Sequence, residues 1–428
     1  QLECQASVDR LVDKAMQNGM KGIAVTDHGN MFGIKEFTNY VNKKNSGPKG
    51  EVKDLKKRIA GIEAGTIECA DKEAEIAACK AKIVEAENKL FKPVIGCEMY
   101  VARRTMDLKE GKPDQSGFHL IVLAKNEKCY HNLIKLVSHA WTRGYYMRPR
   151  TDRSELEKYH EGLIVCSACL GGHLHNKITA GQFAAAEAAI QWYLEMQRHK
   201  ATVPRANHEC YPLQVNVNKY LVEYAKKFNV KLICTNDVHF VDEENAEAHD
   251  RLICLSTGKD LDDPSRMLYT KQEWMKTREE MNELFADVPE ALSNTLEILD
   301  KVEYYSIDHA PIMPTFAIPE DFGTEEGYRA KFTEKDLFDE INQDEHGNVV
   351  LSEEDAKAKI KRLGGYDKLY RIKLEGDYLA KLAFDGAKRI YGEPLSEEVK
   401  ERMNFELYIM KTMGFPGYFL IVQDFINA

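Results

Sequence analysis

Four nearly continuous apolar segments lie between residues 93 and 240, and they leave few folds open. They are Pro93-Val-Ile-Gly-Cys-Glu98-Met-Tyr-Val101, His119-Leu-Ile-Val-Leu-Ala124, Gly162-Leu-Ile-Val-Cys-Ser167 and Val230-Lys-Leu-Ile-Cys-Thr235. A shorter one, Lys21-Gly-Ile-Ala-Val25, precedes them. Strands with no polar face are buried on both faces, as in parallel sheets covered by helices. Helix-like segments at 127–139, 182–198 and 218–228 separate the runs. Alternating strand and helix predicts an α/β chain with a mostly parallel sheet. Several runs end in residues able to bind metal, and the C-terminal strand ends of a closed β/α barrel build its site. A β/α barrel is therefore favoured over an open doubly wound sheet. There is no G-x-G-x-x-G or Walker loop to support nucleotide binding at the sheet.

The flanks read differently. Val8, Leu11, Val12 and Ala15 fall at helical spacing ahead of the Lys21–Val25 strand. Asn42 to Gly50 reads as a polar linker. After it Val52, Leu55, Ile59 and Ile62 step by three and four, and Ile76, Ile83 and Leu90 step by seven. Among Ala, Glu and Lys, this spacing predicts a helical hairpin or short coiled coil inserted at 43–90. A solvated arm without chemistry is the simpler role for it, and partner docking the other. Beyond about residue 250, 272–302 reads as helical, 308–325 as Pro-containing and irregular, and 333–400 as charged and mostly helical. These changes predict a first domain at 1–255, containing the insertion at 43–90, and a second region at 256–428. The apolar Gly417-Tyr-Phe-Leu-Ile-Val-Gln-Asp-Phe-Ile426 needs a packing partner. That segment and the absence of an initial methionine are read as marks of truncation at both ends.

Composition narrows the function. The 428 residues suit two or three domains of roughly 150 residues each. A formal net charge of −10 is unlike a protein built mainly to grip DNA. The 10 cysteines are scattered, several inside apolar runs, which suits a reducing cytoplasm better than a disulfide framework. No apolar run reaches transmembrane length.

The candidate chemistry lies at His28, Glu98, His119, Cys169, Asp237 and His239. Imidazole, thiolate and carboxylate are the side chains that bind zinc, manganese or iron. Asp237 and His239, at i and i+2, would face one pocket if both were in a strand. Asp27 is read as a group orienting an imidazole. His119 fits least well, because it precedes its apolar run while the others follow theirs. Each residue alone is more readily a structural residue. Cys166 and Cys169 with His173 and His175 offer a weaker local zinc pattern. Arg103, Arg104, Lys125, Arg143, Arg148, Arg150 and Arg153 are candidates for holding phosphate, against a simpler reading as surface charge.

Lys21-Gly-Ile-Ala-Val-Thr-Asp-His-Gly-Asn-Met-Phe-Gly33 resembles a motif of the PHP (polymerase and histidinol phosphatase) domains in the alpha subunits of bacterial replicative DNA polymerases. Ile95-Gly-Cys-Glu98, His119-Leu-Ile-Val-Leu-Ala-Lys-Asn126, Cys169-Leu-Gly-Gly172, Tyr193-Leu-Glu-Met-Gln-Arg-His199 and Thr235-Asn-Asp-Val-His239 continue the resemblance in order. Met413-Gly-Phe-Pro-Gly-Tyr-Phe-Leu-Ile-Val422 is similar to a segment of the polymerase palm. The resemblance implies a PHP-type β/α barrel followed by a mostly helical start of the palm region. It implies His28, Glu98, His119, Cys169, Asp237 and His239 as ligands of a cluster of up to three divalent metals, zinc or manganese, with 3′–5′ exonuclease activity in some members. In other members ligands are lost, and the domain is structural or binds a separate proofreading subunit. It places Glu3 where the family usually has a metal-binding Asp, and the family's opening His-x-His motif is absent. The polymerase carboxylates that use magnesium would lie beyond Ala428. The implied partners are DNA and dNTPs, through the parent polymerase, with a proofreading exonuclease subunit and a sliding clamp. Two other readings stand beside this one, a free-standing metal-dependent phosphoesterase and a non-catalytic interaction scaffold.

Overall fold

The computed structural model describes residues 6–188, 193–200, 210–309 and 314–427. The chain divides into two compact units, 1–308 and 309–428. The boundary expected at 255 falls instead inside the helix Ala246–Thr257. The first unit continues through the helix Pro289–Lys301, because Ile298 and Val302 pack into a core with Val94, Leu123, Ile164 and Ile233 of the sheet.

Among the described residues the first unit holds seven strands, β1 (Gly22–Val25), β2 (Lys92–Ala102), β3 (Gly117–Ala124), β4 (Arg150–Thr151), β5 (Leu163–Cys166), β6 (Leu194–Met196) and β7 (Leu232–Cys234). The main order is β1-β2-β3-β5, with β4 also on β2. A single parallel bridge, Cys166 to Tyr193, joins β5 to the β6–β7 pair. The α/β class holds, but the sheet is mixed. β3 pairs antiparallel with both β2 and β5. The reason is the connection. A parallel neighbour needs a crossover of a dozen or more residues, usually a helix, whereas residues 103–116 between β2 and β3 hold only the short turn Lys112–Asp114.

Two helix assignments also change. Residues 194–196, read as the end of a helix at 182–198, form strand β6, whose backbone pairs with β7 from Leu194↔Leu232 to Met196↔Cys234. Residues 189–192 lie outside the described residues. The linker at 42–50 is helical, split between Ile34–Lys44 and Ser46–Glu63. Gly47 and Pro48 sit in the first turn, where proline breaks no hydrogen bond, and Gly50 follows it. The insertion is the expected hairpin, Ser46–Glu63 against Lys72–Asn88, laced by Arg58–Glu75. The buried Asn45 side chain closes its neck, donating to the Phe91 carbonyl at 2.8 Å and accepting from the Phe91 N–H at 2.9 Å.

The second unit is helical, from Glu325–Lys331 to Pro416–Asn427. Its core gathers Leu337, Ile341, Ile360, Leu369 and Tyr370. Among the described residues no helix is long and apolar enough to cross a membrane.

Candidate metal centre

β1 ends at Val25, but its backbone continues to pair with β2. The Glu98 N–H donates to the Asp27 carbonyl at 3.0 Å, and the Gly29 N–H donates to the Glu98 carbonyl at 2.8 Å. This sets His28 beside Glu98. Gly29 has φ +67°, and a Cβ there would stand 2.6 Å from a Pro149 ring carbon, so only glycine fits. Asn30 locks the turn by donating to the His28 carbonyl and accepting from the Phe32 N–H.

Glu98 is the hub. It is buried, with Oε1 2.6 Å from His119 Nδ1 and Oε2 3.5 Å from His28 Nε2. Ligand atoms of His28, Glu98 and His119 all lie within 4.8 Å of one another. His119 belongs here because β3 runs against its neighbours. Its first residues stand at the end of the sheet where β1, β5 and β7 finish. Its N–H donates to the Gly171 carbonyl, and its ring lies so close over Gly171 that a Cβ would meet it at 3.1 Å. The Gly172 N–H donates to the Cys169 carbonyl at 2.8 Å, closing a turn in which Cys169 Sγ lies 3.6 Å from His119 Nδ1 and 3.9 Å from Glu98 Oε1.

Asp237 and His239 follow β7. Asp237 has φ +45°, so the strand geometry expected of this pair is absent, and a left-handed turn presents them instead. The Asp237 carbonyl lies 2.7 Å from His239 Nδ1. A carbonyl only accepts, so Nδ1 carries the proton and Nε2 keeps its lone pair, the arrangement of a metal-binding imidazole. The Tyr269 hydroxyl donates to Nε2 at 3.2 Å. The His239 and His119 rings stand 6.1 and 5.4 Å from the His28 ring.

Neighbouring charge moves the two acids Glu98 and Cys169 in opposite directions. Burial pushes the Glu98 pKa up, but the His119 hydrogen bond and the charges of His28, His119 and His239 outweigh it, holding the carboxyl below its ordinary value. The Cys169 thiol is driven well above its ordinary value, first by burial and then by the charges of Glu98 and Asp237. Two carboxylates and a thiol among three imidazoles fit a site for divalent metal.

Sequence reasoning overlooked two members of this region. Tyr269 gave no signal, since it lies in irregular chain. Glu195 is fully buried on β6, where its Oε1 accepts from Thr235 Oγ1 at 2.5 Å. Burial pushes its carboxyl up to about 7, and the charges of Glu98 and Asp237 add to the rise against the Thr235 hydrogen bond. The i, i+2 polar pair Glu195 and Gln197 was a strand signal, hidden by the helical reading of 182–198.

Other candidates do not converge. Glu3 lies outside the described residues. Among the described residues the Asp27 carboxyl makes no hydrogen bond to an imidazole, and burial raises its pKa. Cys166 faces the core, the buried His175 Nε2 donates to the Glu195 carbonyl at 3.1 Å, and His173 stacks on Phe118, so no local zinc site forms. Arg104, Arg143 and Arg153 are committed to carboxylates. Arg150 is fully buried and donates to the carbonyls of Gly144, Met106 and Leu108, so it cannot hold phosphate.

The chain is similar to known proteins over its whole length. Residues 1–202 match the PHP domain family, and residues 377–428 match the family described as bacterial DNA polymerase III alpha NTPase domain. The DNA polymerase III subunit alpha of Borreliella burgdorferi is 34% identical over 440 aligned residues, covering 100% of this chain and 29% of that protein. That of Treponema pallidum is 29% identical, covering 100% of this chain and 28% of the relative. That of Thermus aquaticus is 31% identical, covering 95% of this chain and 30% of the relative. The chain thus spans less than a third of the length of these relatives. With a PHP domain at its start and alpha-subunit similarity along its whole length, the chain belongs to the family of bacterial DNA polymerase III alpha subunits.

Proposed function

We propose that this chain is the part of a cytoplasmic replicative DNA polymerase alpha subunit that carries a metal-dependent phosphodiester-cleaving site. The observation that carries this reading is Glu98, buried and held between His28 and His119. Those three residues, with Cys169, Asp237 and His239, would hold the divalent ions, zinc or manganese. When bound, such ions supply an activated water and neutralise charge on a phosphoryl oxygen. The chain's own part is to keep Glu98 ionised, to fix the His239 tautomer through the Asp237 carbonyl, and to shield the ring cluster with Tyr100. The substrate is the 3′ end of DNA. Nucleotide addition from dNTPs, with magnesium, belongs to the alpha subunit as a whole, as do contacts with a sliding clamp and a proofreading exonuclease subunit. Similarity to alpha subunits at both family matches disfavours a free-standing phosphoesterase.

The test is shortening of 5′-labelled single-stranded DNA by the full alpha subunit, with manganese or zinc. Trimming from the 3′ end is expected. Chelator should stop it, and Glu98→Gln should slow it by at least roughly 10–100-fold, the loss typical when groups that orient a metal site are removed. Metal-loaded protein that leaves the strand intact under every cation would make the centre structural.

A further inference from the structure

An exposed aromatic strip borders the centre. Phe32, Trp141 and Tyr145 are 77%, 40% and 48% exposed. Trp141 and Tyr145 stack at 5.5 Å between centroids with 16° between planes, and Phe32 lies 6.1 Å from Trp141. Large aromatic rings exposed side by side are costly unless something covers them. The strip is tied to the centre by its backbone. Trp141 Nε1 donates to the Gly29 carbonyl at 2.8 Å, one residue from His28. Tyr145 lies next to a turn closed by the Tyr146 N–H to Arg148 carbonyl bond, and the buried Arg150 donates to the carbonyl of the preceding Gly144. The platform is therefore preorganised.

The same turn supplies charge. Arg148 is exposed and forms no ion pair among the described residues. Its guanidinium lies 5.9 Å from the Tyr100 ring, and that ring meets His119 edge-on at 5.2 Å. The turn that follows Tyr145 thus brings a cation to the edge of the imidazole cluster. Stacked rings next to an uncommitted arginine are what single-stranded nucleic acid uses, bases on the rings and phosphate on the charge.

We infer that Phe32, Trp141 and Tyr145 form a stacking platform for the unpaired bases of a DNA strand whose 3′ end enters the centre, with Arg148 on its backbone phosphate. This rests on the phosphodiesterase reading of the site and specifies its substrate as single-stranded. A sequence-tolerant grip is implied, because every base has a π-face.

The experiment is fluorescence anisotropy of the full alpha subunit with labelled oligothymidylate, in chelator so that no cleavage occurs. A matched abasic strand is run in parallel. The Phe32→Ala, Tyr145→Ala double variant leaves the Trp141 hydrogen bond intact. It should bind oligothymidylate roughly 5- to 100-fold more weakly and the abasic strand as the wild type does. Phe32→Tyr with Tyr145→Phe should restore binding, and Arg148→Ala should weaken both strands. Hydrolysis of a small chromogenic phosphodiester with manganese separates the two ideas, and the double variant should leave its rate unchanged. Unchanged oligothymidylate affinity in the double variant overturns the platform even if the small diester is cleaved. So does a loss restricted to binding of a purified proofreading subunit, which would give the strip to a protein partner. If oligothymidylate binding falls as expected but no protein cleaves the small diester, the platform stands and the phosphodiesterase reading falls.

Discussion

At the scale of single residues, two buried ionisable groups behind the centre work against each other. Glu195 is held protonated up to about 7, chiefly by burial. Fully buried His175 is pushed down to about 4, again by burial, against the Glu195 carbonyl. A carboxyl raised in the folded state is ionised first in the unfolded chain, so stability from Glu195 falls as pH rises from about 4.5 to about 7. A histidine depressed in the folded state does the reverse, and its contribution falls as pH drops from about 6.5 to about 4. Each ramp is worth roughly 3 kcal/mol, so they nearly cancel in the parent protein. Glu195→Gln removes one of them. In chelator, its stability should equal the parent's near pH 4.5 and exceed it by up to roughly 3 kcal/mol at pH 8, read by urea unfolding at each pH. The same difference at both ends of the range would show that Glu195 is not held protonated. The candidate ligand types were legible one by one, but not their convergence: Glu98 lies inside β2 and His119 near the start of β3, so only the family resemblance grouped all six. Glu195 and Tyr269 were not legible, since neither stands at the end of an apolar run that sequence could identify.

At the scale of elements, the reversal of β3 decides whether the site exists. Read as one more parallel strand, it sends His119 to the wrong end of the sheet. A short turn-containing connection after β2 reverses it and brings His119 onto Glu98. The apolar run could not reveal this, because strand direction is set by the connection rather than by the strand. The helical insertion was legible from its spacing, whereas its attachment was not. Asn45 serves the two backbone groups of Phe91 as a neighbouring strand would. Asn45→Ala strands both groups in a buried position, and each unmade bond costs about 1–3 kcal/mol. The variant should lose about 2–4 kcal/mol of unfolding free energy by chemical denaturation. A loss below about 0.5 kcal/mol would mean that water or a shifted backbone replaces the clasp.

At the scale of the whole molecule, every described candidate ligand lies in the first unit, which ends at Asp308. Sequence placed that boundary too early because the helices after β7 look like the start of a new region. In the structure they cover the sheet, as the packing of Ile298 on Ile233 shows. The central claim is that His28, Glu98, His119, Cys169, Asp237 and His239 together hold divalent metal. Metal content by inductively coupled plasma mass spectrometry tests it most directly, on the full chain and on a chain ending at Asp308, after incubation with zinc or manganese and desalting. Both should retain at least one ion per chain, and both should lose it in Glu98→Gln and in Asp237→Ala with His239→Ala. Metal absent from the parent chains, or equally present in the variants, would contradict the account.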